Sequence, residues 1–121
     1  MIIKFSHPNV PVSPRKIRPL VAAIKKMDPP KALTSLKFTN SKSARILARF
    51  VKNALVAANL KLPSASFSFD SFLVNEGQKI KRMDKSHGSR FARGIIQKRH
   101  SRLSLTLSAT SDKIPDQKIN K

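Results

Sequence analysis

The segment that decides the fold is EGQKIKRMDKSHGSRFARGIIQKRHSR, residues 76–102, here called the basic segment. It contains nine lysines and arginines against two acidic residues, and strand-like sequence lies on both sides of it, at residues 67–74 and 103–109. These flanks predict an antiparallel pair of strands that the basic segment extends as a long hairpin. Charges at this density cannot be buried in a core of their own, so we expect a polyanion to neutralise them.

The charge imbalance extends over the whole chain. Its 121 residues suit one domain and include 25 lysines and arginines against 6 acidic residues, a formal net charge of +19. Such an excess opposes compaction of the free protein and favours binding to a phosphate backbone through the release of counterions. The basic residues are not gathered along one amphipathic helix, which argues against a membrane surface as the polyanion.

Composition also excludes or disfavours several classes of site. The chain has no cysteine, which rules out disulfides, cysteine nucleophiles and thiolate metal sites. Its three histidines, His7, His87 and His100, are far apart in sequence, and no glycine-rich phosphate loop or serine–histidine–aspartate set is recognisable. We therefore expect no metal, no cofactor and no enzymatic activity.

The sequence gives no sign of membrane insertion or export. No run of 18 apolar residues occurs, and the first residues, MIIKF, lack the length and cleavage site of a signal peptide. We expect the cytosol of a bacterium as the location, and an organelle is the less favoured alternative.

The first helix is predicted from a start signal and an apolar stripe. Ser13 can cap a helix whose first residue is Pro14. Apolar residues then recur at helical spacing on one face; they are Ile17, Leu20, Val21 and Ile24. Pro19 lies beyond the first turn, so the pattern predicts either a kink or a late helix start.

Two more helices follow. The second is predicted to open at residues 28–30 and to run through Leu36, and the third follows the capping residues 39–41. The apolar face of the third helix consists of Ala44, Leu47, Val51, Ala54 and Ala58. Its opposite face carries Lys42, Arg45, Arg49 and Lys52. Those four residues form either a solvated helix face or a contact with RNA.

The remaining apolar residues alternate as in strands. Residues 2–12 include two prolines and predict an edge strand or an extended arm. Phe67 and Phe69 alternate with serines, and Phe72 and Val74 continue in the opposite phase, so we predict a bulge near residues 70–71. Leucines alternate with serine and threonine over residues 103–108, which predicts a half-buried strand.

The domain prediction follows from these elements. Residues 1–109 are expected to form one domain with the hairpin at about 76–102, and residues 110–121 a flexible polar tail. Near the hairpin tip, Gly88 and Gly94 can supply a positive φ. Four apolar residues there have little core to enter, namely Met83, Phe91, Ile95 and Ile96. They can stack on bases, pack against another protein, or pack within the hairpin itself.

Seven short motifs occur in an order and spacing that is similar to a known family. They are SPRK at 13–16, AL at 32–33, LKFT at 36–39, the alanine-rich third helix, VNEG at 74–77, KR at 81–82 and KRHS at 98–101. Together they resemble the bacterial-type large-subunit ribosomal protein twenty-two, over about residues 10–109.

The resemblance implies both a fold and a function. The fold is α+β, with three helices packed on a small antiparallel sheet and a long protruding basic β-hairpin. The implied function is that of a structural constituent of the large ribosomal subunit, which binds ribosomal RNA and supports subunit assembly without catalysing a reaction. The hairpin would line the nascent-peptide exit tunnel, with its tip opposite large-subunit protein four. The implied partners are ribosomal RNA, neighbouring ribosomal proteins and the nascent polypeptide.

Candidate RNA-binding residues come from the resemblance and from charge. The resemblance carries over the basic start of the first helix and the two arms of the hairpin, and charge adds the remainder of the set. The candidates are Arg15, Lys16, Arg18, Arg45, Arg49, Lys79, Lys81, Arg82, Lys85, Arg90, Arg93, Lys98, Arg99 and His100.

Two alternative functions fit the sequence less well. A free-standing architectural DNA-binding protein whose hairpin enters a groove fits the charge, but the chain has no dimerisation motif and no proline-tipped wedge. An RNA-modifying enzyme is disfavoured because no catalytic or cofactor-binding constellation is present.

Overall fold

The computed structural model of this protein describes residues 1–63, 65–86 and 94–110, the last without its side chain. Three helices pack on a three-stranded antiparallel sheet, which confirms the predicted α+β fold. In chain order the elements are β1 (Ile2–Val10), α1 (Pro14–Ile24), α2 (Pro29–Phe38), α3 (Lys42–Lys61), β2 (Ser66–Met83) and β3 (Ile95–Thr110).

The sheet has β3 at its centre. β1 and β2 flank it, and both pair with it antiparallel. The prediction of an edge strand near the N-terminus is therefore confirmed. The β1–β3 ladder is irregular between His7 and Val10, and Pro8 lies at that point, where an edge position tolerates a residue that cannot donate a backbone hydrogen bond.

The predicted bulge in β2 is present at Asp70. Phe69 pairs with Leu107 and Ser71 with Thr106, so Asp70 is the extra residue. Because side chains alternate between the two faces of a strand, one extra residue returns Phe72 to the same face as Phe69. The bulge therefore explains why the alternation of apolar residues changes phase between Phe69 and Phe72.

The helices begin where their start signals predict. The Ser41 hydroxyl accepts a hydrogen bond from the Ala44 backbone N–H at 3.1 Å, which caps α3. Ser13 holds the N-cap position of α1 without a side-chain cap, and Pro14 is the first helical residue. The predicted late start of α1 is therefore wrong, and Pro19 lies inside the helix.

Packing explains why α1 tolerates Pro19. The proline cannot donate to the carbonyl of Arg15, which would be its partner in a regular helix. Ile17 and Val21 on either side of it are buried, whereas Pro19 itself is exposed. The tertiary contacts of the two buried residues hold the helix through the missing bond.

The core lies between the helices and one face of the sheet. Leu103, Leu105 and Leu107 of β3 are fully buried, as the alternating pattern predicts. The predicted apolar face of α3 is also buried throughout; it comprises Ala44, Leu47, Val51, Ala54 and Ala58. Burial of each of the leucines stabilises the fold by roughly 1.5–3 kcal/mol.

Beyond Ser101, toward Ile95, the described part of the sheet consists of only two strands, β2 and β3. β1 reaches β3 last at the Val10–Ser101 pair, while the β2–β3 ladder continues to Met83 and Ile95. We call residues 77–83 and 95–100 the ribbon. With strands rising about 3.4 Å per residue, this part alone reaches roughly 20–25 Å. The tip, residues 87–93, and the tail, residues 111–121, lie outside the described residues, together with the predictions for Arg90, Phe91, Arg93 and Gly88.

One glycine prediction is wrong and another glycine takes its place. Among the described residues no glycine has a positive φ, Gly94 included. Gly77 is the one that close packing requires, because a Cβ there would lie 3.0 Å from the backbone carbon and oxygen of His100. The strands of the ribbon approach each other so closely at that point that a side chain would require the His100 backbone to move.

Candidate nucleic-acid interface

The ribbon carries positive charge on both of its faces. The pairs Lys79–Arg99 and Lys81–Gln97 share the parity of the buried leucines, so they lie on the helix side of the sheet. Lys98 has the opposite parity and so lies on the other face of the ribbon. Arg82 lies on that face too, because it pairs with Ile96. A ligand that neutralises all of these cations must therefore approach the ribbon from both sides.

Most of the ribbon is exposed. From residue 79 to 86 and from 94 to 99, every described residue is exposed except Ile80 and Asp84, which are half-buried. Ile95 is 68% exposed and Ile96 is 47% exposed, which places apolar side chains among the cations. The exposed parts of these side chains are available for stacking on bases or for packing against another protein, and the covered parts pack within the hairpin.

A bulge at the start of the ribbon places Glu76 next to Lys79. Glu76 pairs with Ser101 and Lys79 with Arg99, so β2 contains one extra residue between them. Residues three apart on a regular strand point to opposite faces, but the extra residue places Glu76 and Lys79 on the same one. Their side chains form an ion pair at 3.2 Å.

The ion pair keeps Glu76 ionised. A hydrogen bond from Lys79, and then its charge, hold the pKa of this carboxyl below its ordinary value of 4.5, and Arg18 and Arg99 act in the same direction. Glu76 is exposed, so this attraction is screened by solvent. Its structural effect is to orient Lys79 beside Arg99 at the foot of the ribbon.

Four cations line a groove of about 490 Å³ where the helices meet the ribbon. We call it the cationic groove. Three elements contribute charged or polar side chains to it, namely the start of α1, the start of α3 and β3. Its lining is Pro11, Val12, Ser13, Lys16, Lys42, Ser43, Lys98, Arg99 and His100.

Two helix N-termini add to the potential in this groove. Ser13 is the N-cap of α1, and Lys42 and Ser43 are the first residues of α3. Each helix start presents the positive end of its helix dipole, which favours anions. The start of α3 adds the backbone N–H groups of Lys42 and Ser43, whereas at α1 the first helical residue, Pro14, has no N–H and the Lys16 N–H donates to the Ser13 carbonyl at 3.1 Å. None of the described residues that line the groove is acidic, so its chemistry suits a phosphate group.

Arg15 and Arg18 lie at the junction of α1 with the ribbon. Arg15 lines a smaller groove with Glu76, Lys79 and Arg99. The Arg18 Nε donates to the Val74 carbonyl oxygen at 3.5 Å, a long bond that ties α1 to β2. Arg18 thus helps to hold the site together as well as contributing charge to it.

His100 is half-buried in this junction. Its Nδ1 lies 3.3 Å from the carbonyl oxygen of Gln78. A carbonyl can only accept, so this hydrogen bond requires the proton to be on Nδ1. The ring is thereby fixed against the bulge, and Nε2 is left as its other polar atom.

The structure brings together some of the predicted site residues and separates others. Those at the cationic groove or its junction are Arg15, Lys16, Arg18, Lys79, Lys98, Arg99 and His100. Lys81 and Arg82 continue along the ribbon, and Lys85 follows just beyond its end at Met83. Arg45 and Arg49 are exposed on α3 away from the cationic groove, and the Arg45 guanidinium donates to the Asn40 side-chain oxygen at 3.0 Å.

Sequence reasoning leaves Lys42 open between a solvated helix face and a contact with RNA and does not place it beside Lys16 and Lys98. The structure brings it into the cationic groove. The sequence signal for this position is that Lys42 directly follows the N-cap Ser41. A cation there is repelled by the positive end of the helix dipole. A lysine there has no role in stabilising the helix, which is a reason to look for an anion.

The family model described as Ribosomal protein L22p/L17e matches residues 5–108. The chain belongs to this family. The resemblance found in the sequence motifs is therefore confirmed, and members of this family are structural ribosomal proteins rather than enzymes.

Individual relatives agree with the family match. The chain is 37% identical over 101 residues to a protein of Petrotoga mobilis named large ribosomal subunit protein uL22, covering 81% of this chain and 66% of that one. It is 37% identical over 100 residues to the protein of the same name from Lawsonia intracellularis, covering 80% and 87% of the two chains. The match to the Phytoplasma mali protein is 31% identical over 115 residues, 93% of this chain and 86% of the relative.

Other classes of site find no support in the described part of the chain. None of the helices found there has the length and hydropathy that crossing a lipid bilayer requires. Within residues 1–63, 65–86 and 94–110, no three histidine, aspartate or glutamate side chains are grouped so that they could hold a metal ion.

Proposed function

We propose that this protein is a structural constituent of the large ribosomal subunit, and that it binds ribosomal RNA through the cationic groove and the ribbon. The observation that carries the proposal is the convergence of Lys16, Lys42 and Lys98 with two helix N-termini on one groove. Family membership and relatives named as large-subunit proteins support the same assignment.

The mechanism is neutralisation of phosphates and recognition of RNA shape. Packed RNA helices present phosphates and 2′-hydroxyls more readily than base edges, so lysine and arginine contacts supply most of the affinity. Cations on both faces of the ribbon suit a position between RNA elements, because each face then has its own phosphates to contact. Such contacts hold separate RNA segments together and thereby support assembly of the subunit.

We further propose that the ribbon lines the nascent-peptide exit tunnel, with its tip close to large-subunit protein four. Exposed apolar residues between cations, such as Ile95 and Ile96, support this position, because a passing polypeptide offers apolar groups that RNA phosphates do not. The location would be the ribosome in the cytoplasm of a bacterium, which agrees with the bacterial relatives.

Co-sedimentation with ribosomes tests the proposal. The protein should remain with large subunits through a high-salt wash that removes loosely bound basic proteins. Recovery in the ribosome-free fraction would contradict it, and a preference for duplex DNA over ribosomal RNA at matched salt would favour the architectural DNA-binding alternative. A photo-reactive group at residue 95 should cross-link to nascent chains if the ribbon lines the tunnel.

A further inference from the structure

A second groove lies beside the cationic groove, between β1 and α3. Its volume is about 350 Å³, near the lower end of the range for small-molecule sites. Its lining includes three buried apolar residues, Val10, Phe50 and Leu103. The groove is therefore the size of a site for one small flat group rather than for an extended peptide.

Three of the exposed residues of this groove are polar or basic. His7, Arg49 and Asn53 are exposed and line it together with the buried residues. The Asn53 amide can donate and accept at once, which is the property that reads the edge of a base. The His7 and Phe50 rings are inclined at 68° with 6.4 Å between their centroids, and His7 is exposed, so its ring is available to stack on a planar base.

The two grooves are contiguous. Pro11 lines both of them, so a chain that crosses Pro11 passes directly from one to the other. On one side it meets Lys16, Lys42 and Lys98, and on the other the apolar residues and Asn53. A nucleotide has this same division, with a charged phosphate at one end and a planar base at the other.

We propose that this second groove receives one unstacked base of RNA, whose neighbouring phosphate lies in the cationic groove across Pro11. The inference rests on the proposed function and adds to it a base-specific contact. Arg49 offers a cation to the backbone on the far side of the base, and Asn53 reads the base edge. None of the described lining residues is acidic, so nothing there repels the nucleotide.

Chemical probing of the base tests this inference. The full-length protein is bound to a large-subunit ribosomal RNA transcript, and base edges are probed with dimethyl sulfate, kethoxal and a carbodiimide, while hydroxyl radicals report on the backbone. In the complex we expect one protected base that regains modification by about fivefold or more with Asn53→Ala or His7→Ala, the lower end of what one base contact contributes. Protection of the backbone beside it should remain, since the cationic groove is intact.

The matched control is Asn59→Ala. Asn59 is also an exposed asparagine on α3 but lines a different groove, with Asp28 and Leu55, so its replacement should leave the base protected. If both test variants protect the base as well as the wild-type protein does, and the backbone footprint is retained, the inference is overturned and the proposed function stands. The same result is expected if a protein side chain, rather than a base, occupies the groove. Absence of any footprint from the wild-type protein would contradict both.

Discussion

Lys79 and Arg99 face each other directly across the two strands of the ribbon. Like charges at directly opposed positions destabilise a strand pair, and an isolated two-stranded ribbon is marginal in water. Glu76 offsets only part of this repulsion, through its ion pair with Lys79 at 3.2 Å. An anionic ligand would reduce the remaining repulsion between these cations. Such an arrangement is expected of a binding site, where function outweighs the stability of the unbound protein.

The carboxyl of Glu76 reports on this arrangement. Its pKa lies below 4.5, first because of Lys79, so Lys79→Ala should raise the pKa toward the ordinary value, as measured by NMR titration of the side-chain carboxyl. Lys31→Ala is the control, since Lys31 pairs with Asp28 instead. A pKa of Glu76 that is the same in wild type and Lys79→Ala would show that the ion pair does not form.

The same shift fixes the sign of a pH effect on stability. A carboxyl whose pKa is lower in the folded state contributes stability that is present above its unfolded value, 4.5, and is lost as the pH falls through the folded pKa. The advantage of wild type over Glu76→Gln in urea unfolding should therefore be constant near neutral pH and should shrink below about pH 4.5. An advantage that grows on acidification would contradict the sign.

Gly77 should be essential to the base of the ribbon. A Cβ at this position would lie 3.0 Å from the His100 backbone, so Gly77→Ala forces the strands apart and should lower the free energy of unfolding by about 1–3 kcal/mol. At Gly94 the nearest atom, the Asp84 Cβ, would be 3.8 Å away, and the φ is not positive. Gly94→Ala is thus the control and should be close to neutral in urea unfolding; equal effects of the two would argue against the close approach at Gly77.

The core makes a separate prediction. Leu47 and Leu105 are fully buried, on opposite sides of the helix–sheet interface, so Leu47→Ala or Leu105→Ala should lower the free energy of unfolding by about 2–5 kcal/mol. Leu60, at 82% exposure on the same helix as Leu47, provides the control, and its replacement should have little effect. Thermal or urea unfolding measures all three, and a small loss at Leu105 would place the core elsewhere.

The predictable parts of the fold are those with a buried face. Leu47 and Val51 recur at helical spacing because one side of α3 packs on the sheet, and the bulge at Asp70 shows in the sequence because the flanking phenylalanines must return to the core. Ser41 caps α3 through a local hydrogen bond, which a sequence pattern can reveal. In each case the physical constraint acts on neighbours in the chain.

The parts that escaped prediction depend on contacts between distant segments. The bulge between Glu76 and Lys79 leaves no phase signal, because the ribbon beyond it has no buried face to mark a change of register. Lys42 joins the site only because the start of α3 meets β3, 56 positions away at Lys98. Pro19 gave a misleading signal, since tertiary packing of α1 outweighs one missing hydrogen bond.

The central claim is that the cations of the ribbon contact RNA phosphates. The most direct measurement is the dependence of ribosomal RNA affinity on salt, compared between wild type and the combined variant Lys81→Ala, Arg82→Ala, Lys98→Ala and Arg99→Ala. The control removes the same charge elsewhere, with Lys25, Lys26, Lys31 and Lys37 replaced by alanine. All four of these are exposed on or beside α1 and α2, and none of them lines the cationic groove.

Each lost phosphate contact lowers the slope of log affinity against log salt by about 0.7–0.9, so loss of all four contacts in the ribbon variant should remove about 2.8–3.6 from the slope while its folding is retained. The control variant should keep most of the wild-type slope. Equal slopes for wild type and the ribbon variant, or an equal loss in the two variants, would contradict the claim that the ribbon binds RNA.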